Sequence, residues 1–298
     1  MRHVAVLLAL ASLACAEEDM DALWRDACQW RVGSAVASTN AAREKLVALG
    51  SASLDYIIPA KLDTTDGLAV EAIYEVVVKI GGEAAERLMP CLDAESSNVR
   101  KITASLLGKL GCVAAVPRIA ELLNDKDARG GALEALGALK AVDAVAAIAD
   151  LMRTADKERA RVACLGTLAA IGGDGALEVI LSALSDKGAA VRFAAQFALE
   201  KMKAVDPLRA RLSDPDPRVR LHAIHALGRI GDAAAREDLL ALLASEDPIV
   251  RGYAAEALTP MLQPGDSDAM RARLDLETHP FARGKLVAAL QAESDPKK

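Results

Sequence analysis

The chain is 298 residues long, 52% hydrophobic but only 3% aromatic, and its 36 basic and 42 acidic residues give a net charge of -6. Such apolar content can bury a large core, which excludes disorder over the whole length. An acidic balance without a basic block argues against binding to nucleic acid through its phosphates. Alanine supplies 62 residues, and Ala with Leu and few aromatics suits close-packed helices and fits a β-sandwich badly.

The first segment, residues 1–16, reads as a secretory signal peptide: Arg2 and His3, then the apolar stretch Val4 to Leu13, then Ala14-Cys15-Ala16 before the acidic Glu17. The stretch is about half of what a bilayer span needs. Export to a bacterial periplasm or the medium is therefore expected. Ser12-Leu13-Ala14-Cys15 also loosely resembles a lipobox, which makes a lipid anchor at Cys15 the alternative. No later stretch reaches the length and apolarity of a transmembrane segment. Cleavage would leave 35 basic and 42 acidic residues, a net charge of -7.

Residues 17–37 come next. Leu23, Trp24, Ala27, Cys28 and Trp30 suggest one apolar helix face, read as an N-terminal cap over the open end of a repeat array. Residues 38–291 then repeat a single pattern. Arg100, Arg129, Arg161, Arg192, Arg220, Arg251 and Arg283 are spaced by 29, 32, 31, 28, 31 and 32 residues. Apolar residues recur at +3, +6, +7 and +10 from each Arg, for instance Ala223, Ala226, Leu227 and Ile230. Those offsets form one stripe of an α-helix. Two fainter copies precede them, one with Val70 in the Arg place and one with Arg43.

Glycine succeeds the stripe at positions 50, 81, 111, 172 and 231, where a helix C-terminus favours it. A second apolar run comes next, such as Val116 to Leu123, and then an acidic turn such as Asp214-Pro215-Asp216-Pro217. Asp before Pro predicts an N-cap with Pro in the first helical position. Each unit is thus a helical hairpin that needs its neighbours to bury both apolar faces. The polar residues 292–298 are left as a tail.

The pattern Asp-Pro-x-Val-Arg-x-x-Ala-x-x-Ala-Leu-x-x-Ile-Gly, best matched by residues 216–243, resembles the HEAT repeat, in the short HEAT-like form also found in phycobilisome-lyase proteins. The resemblance implies an all-α solenoid, a right-handed superhelix of about eight stacked hairpins beyond the capping helix. For the recurring arginines it implies a structural Asp–Arg ladder. The spacing of Asp216 from Arg220, and of Asp247 from Arg251, suggests i,i+4 pairing within one helix. An anion-binding stripe is the other reading.

Residues that could carry chemistry are few. His222 and His225 sit three apart, a spacing that can share a metal, but no third ligand is evident, and surface histidines are the plainer reading. The His-Glu dipeptides of the deoxyhypusine hydroxylase branch are absent. Bilin lyases, the other enzymatic relatives, work inside the cell, at odds with export. Nucleotide-binding and nucleophile-elbow motifs do not occur. Gly172-Gly173-Asp174-Gly175 reads as a turn between helices. The second helices mix Glu121, Asp150, Glu178 and Glu237 with Arg118, Arg209 and Arg236, too neutral for strong phosphate attraction.

Cys28, Cys91, Cys112 and Cys164 lack a C-x-x-C spacing and read as free buried thiols, with Cys164 in the +3 core position. No catalytic residue, cofactor or metal is assigned, and no enzymatic activity is expected. One patch stands out. Phe193 and Phe197, with Leu221 and His225 one repeat on, occupy offsets +1 and +5. They are either an exposed strip for a protein partner or packing between repeats. The expected function is that of a scaffold or adaptor; a cofactor-handling enzyme and a tethered envelope module are the alternatives.

Overall fold

A computed structural model describes residues 19–263 and 265–294. The signal-peptide and lipid-anchor readings fall outside the described residues. Every regular element among those residues is helical, and the architecture is an all-α solenoid. The described residues fall into two compact units, divided after Ala147.

In the first unit α1 (Met20–Ala27), α2 (Ala35–Ala48), α4 (Gly67–Ile80), α6 (Ser97–Lys109) and α8 (Arg129–Ala138) pack side by side in that order. The second helices of these hairpins are α3 (Ser51–Lys61), α5 (Gly82–Leu88) and α7 (Val116–Glu121). The capping segment is shorter than the sequence suggests. It is helical only to Ala27, and Trp30 stands beyond it, 73% exposed. Trp24 alone of the two tryptophans packs inward, edge-on to Tyr56.

Helix α9 (Val145–Thr154) crosses the division. In the second unit α10 (Glu158–Ile171), α12 (Ala189–Met202), α14 (Pro217–Ile230), α16 (Pro248–Leu258) and α18 (Pro280–Ser294) stack in sequence. Their hairpin partners are α11 (Gly173–Ser182), α13 (Val205–Ala210), α15 (Arg236–Ala241) and α17 (Asp266–Leu276). Helix α18 runs to Ser294, into the segment read as a tail.

The helices begin and end where side-chain chemistry dictates. Asp216 and Asp247 accept from the backbone N–H groups of Arg218 and Ile249, with Pro217 and Pro248 next to them in the first turn. Each satisfies one of the donors a helix start leaves open. Helix α4 closes on Gly81 at φ 87°, and α14 on Gly231 at φ 69°. Lys140 and Lys203 take the corresponding left-handed position with φ of 50° and 52°. The stripe is the core: Ala223, Ala226 and Leu227 are fully buried, as are Cys164, Leu106 and Leu107. The +10 residue is only half-buried in Ile230, Leu110 and Met202. Among the described residues the four cysteines form no disulfide, but Cys28, Cys91 and Cys112 are half-buried, so the buried-thiol reading holds for Cys164 alone. Burial pushes the Cys28 thiol up to about 11.

Backbone approach between first helices is close at several glycines, Gly131 against the Lys101 carbonyl among them. A Cβ on Gly108 would lie 2.6 Å from the Cα of Ala135, and one on Gly228 would lie 2.7 Å from that of Ala257. Both glycines hold offset +8 of their repeats.

Candidate functional site

The recurring arginine does something other than pair within its own helix. Nη1 of Arg100, Arg161, Arg192, Arg220, Arg251 and Arg283 donates to the backbone carbonyl six residues earlier, that is to Ala94, Ala155, Asp186, Asp214, Ser245 and Glu277. Arg129 does the same through Nε, to Leu123. These carbonyls end the preceding hairpin and have no helical partner, so the guanidinium caps them.

In three of them further nitrogens reach forward, whereas Nε of Arg192 is buried without a partner. Arg100 binds Asp125, Arg161 binds Asp186, and Arg251 binds Glu277, each in the following repeat. The expected Asp216–Arg220 and Asp247–Arg251 pairs do not form. Asp216 turns to Arg218 at 2.7 Å, and Asp247 caps its helix. A carboxylate already committed to a helix start cannot also reach the Arg one turn on.

Arg43, 1% exposed, joins the ladder from its fainter repeat. It donates to the carbonyl of Ala27 at 2.8 Å and to Glu71 and Glu75 at 3.1 and 2.7 Å. Each of these guanidiniums is thus engaged by a backbone carbonyl, and those of Arg43, Arg100, Arg161 and Arg251 also by carboxylates. The second helices carry their own ion pairs, including Arg118 with Asp93, Arg209 with Asp238 and Arg236 with Asp266.

The aromatic patch is a groove of about 370 Å³ between α12 and α14, lined by Phe193, Gln196, Phe197, Glu200, His225 and Arg229. Phe193 and Phe197 form its lip and are 62% and 52% exposed. The inter-repeat packing expected of them is partial. Phe193 meets His222 edge-on at 5.1 Å, and Phe197 lies under the Lys201 ammonium at 4.8 Å. Leu221 is half-buried and does not line the groove. The aromatic character continues along the unit, through His225 against Tyr253 and Tyr253 against Phe281.

Beneath the lip runs a hydrogen-bonded chain. His222 Nδ1–H donates to Gln196 Oε1 at 2.7 Å, Gln196 Nε2 to Glu200 Oε1 at 2.8 Å, and Arg229 Nε to Glu200 Oε2 at 2.8 Å. Burial, helped by the charge on Arg192, pulls His222 down to about 4. It is therefore neutral at ordinary pH and suited to its place in the chain. Burial lowers His225 too, Lys285 adding to the effect while Glu256 and Glu200 oppose it. The two histidines thus face different neighbours, and among the described residues no three His, Cys, Asp or Glu side chains gather as a metal site would require.

Gln196 and Glu200 do not stand out in the sequence taken alone, although a signal for them is there. Offset +4 holds Ala104, Leu133, Leu165, Ile224 and Ala255 in other repeats, all buried, and only here a glutamine. Offset +8 holds Gly108, Gly137 and Gly228 in three repeats, Ala169, Thr259 and Gln291 in three others, and here Glu200. The side chains of Gln196 and Glu200 both line the groove.

Comparison with known proteins agrees with the repeat architecture. A family model described as HEAT repeats matches residues 85–165 and 205–291. No curated protein sequence matches the chain. Among solved structures, the complex of CpcE and CpcF of phycocyanin lyase from Nostoc sp. is similar at 22% identity, over 80% of this chain and 94% of that one, with a TM-score of 0.40. The Escherichia coli protein YibA is 20% identical over 88% of this chain and 99% of its own, with a TM-score of 0.47. Human deoxyhypusine hydroxylase is 21% identical over 96% and 100%, with a TM-score of 0.34. Among the described residues no helix is long and apolar enough to cross a membrane.

Proposed function

The chain belongs to the HEAT-repeat family, and we propose from that premise that it serves as a protein-binding scaffold or adaptor without a catalytic site of its own. One observation carries the reading. Phe193 and Phe197 stand side by side at 62% and 52% exposure over a groove whose floor is a completed hydrogen-bond chain. Large aromatics left in water mark surfaces that a partner covers. The carboxylate at that floor, Glu200, is already held by Gln196 and Arg229 and so is not free to act as a base.

Export belongs to the same reading and is supported by the sequence of residues 1–16. Affinity capture of the tagged chain from its own cell envelope, with crosslinking and mass spectrometry, tests both parts. The expected result is a stoichiometric protein partner crosslinked to α12 or α14, recovered with a chain that begins after Ala16. A monomer carrying stoichiometric iron or zinc would overturn the scaffold reading, and a cytoplasmic chain retaining its first residues would overturn export.

A further inference from the structure

We infer that the groove between α12 and α14 takes an acidic segment of a partner protein, one aromatic or large aliphatic side chain seated between Phe193 and Phe197 and a neighbouring carboxylate held by Arg229. The inference rests on the scaffold reading and adds the chemistry of the partner.

Shape argues the first half. The lip is two phenyl rings four residues apart on one helix, and the space behind them is about 370 Å³. That suits a single large apolar side chain rather than an extended apolar face. Covering two exposed rings with another apolar group removes all three from water.

Charge argues the second half. The cations around the groove point outward. Arg229 is 67% exposed along its side chain and uses only Nε on Glu200, which leaves both Nη groups as a fork for a carboxylate. Lys201 stands over Phe197, at the lip itself. Lys285, farther along, lies over Tyr253 and Phe281 and pairs with Glu256 at 2.8 Å. Of the acids, Glu200 is 11% exposed and already bonded to Gln196 and Arg229, and Glu256 is 46% exposed and paired with Lys285. Three cations against two paired acids make the rim net positive, on a chain whose overall charge is -6. A basic segment would meet Lys201 and Arg229 first. A nucleic acid would need a longer run of free cations than these.

The test is selection from a displayed library of random 16-residue peptides on the purified full chain, followed by fluorescence anisotropy with the selected peptides. The expected peptides combine Phe, Trp or Leu with Asp or Glu one to four positions away. Their affinity should fall about tenfold in Phe197→Ser and in Lys201→Glu, and should weaken with rising salt. Both positions are exposed, and an unchanged thermal melt confirms that each variant folds.

Peptides that are basic or uncharged would overturn the inference, as would affinities indifferent to both variants, or no enrichment at all. Concentration-dependent dimerisation abolished by Phe197→Ser would overturn it in favour of a second copy of the chain, and competition by a single-stranded oligonucleotide in favour of nucleic acid. If crosslinking finds a protein partner elsewhere while the groove selects nothing, the scaffold reading survives and this inference falls. If neither finds a partner, both fall.

Discussion

Arg251 and Glu277 clasp each other across 26 residues, Nε to Oε2 at 2.7 Å and Nη2 to Oε1 at 2.8 Å, with both side chains almost out of water. The same guanidinium caps the carbonyls of Ser245 and Glu246 behind it. One side chain therefore joins the end of one hairpin to the turn of another. Removing one partner of such a pair strands the other, so Glu277→Ala should cost about 3 kcal/mol. Urea denaturation at neutral pH checks it, and a loss below about 1 kcal/mol, the scale of an exposed ion pair, would show that the latch contributes little.

The same contact predicts an acid profile. Hydrogen bonds from Arg251 hold Glu277 at about 2, below the ordinary 4.5, with help from the His279 N–H and Arg273. A carboxylate lowered on folding stabilises the fold fully above 4.5, and that contribution fades as the pH falls toward 2. Denaturation midpoints of the wild type should drop over that interval more steeply than those of Glu277→Gln. Parallel curves would remove Glu277 as the cause.

Two glycines should answer the same substitution with opposite signs. Gly228 faces the Ala257 backbone, and an added Cβ would lie 2.7 Å away. Gly228→Ala should then lose about 1–3 kcal/mol to overpacking. Gly166, inside α10, has open space around its missing Cβ. There the alanine should add up to about 1 kcal/mol through helix propensity alone. Equal shifts in thermal midpoint would contradict the close helix approach.

Lys203 ends α12 at φ 52°, where other repeats use glycine. Lys203→Gly removes the Cβ clash of the left-handed conformation and should gain about 0.5–1 kcal/mol. A destabilised variant would mean that the lysine side chain contributes more than its backbone costs.

His222 should remain neutral far into acid. With a value of about 4 against the ordinary 6.5, the unfolded chain takes up a proton that the folded chain refuses. Stability therefore declines as the pH falls from 6.5 toward 4 and levels off beneath. An NMR titration of the imidazole ring protons reads this directly, and a midpoint near 6.5 would refute the burial of the ring.

The repeat architecture is legible in the sequence because it is written redundantly. Seven arginines, the apolar stripe and the glycines all recur with one period, so each supports the others. Asp216 and Asp247 are readable as caps because capping is local. Their expected pairing with Arg220 and Arg251 fails because helix spacing ignores competition. The N-terminal N–H groups claim the aspartates, and the carboxylates that bind Arg100, Arg161 and Arg251 come from the next repeat. The groove is half legible. Phe193 and Phe197 stand out as rare aromatics, whereas Gln196 and Glu200 look ordinary until aligned with the other repeats. Trp30 misleads because the apolar pattern continues past the helix end at Ala27.

The four residues that distinguish α12 have a consequence for how such a solenoid could be rewired. Phe at +1, Gln at +4, Phe at +5 and Glu at +8 occur together only in this repeat, and all four line the groove. The proposed binding slot is then a set of four side chains on a recurring backbone. Transplanting those four residues, with an arginine at +9 of the following repeat as in Arg229, should carry the slot to another pair of helices while the backbone itself stays as it is.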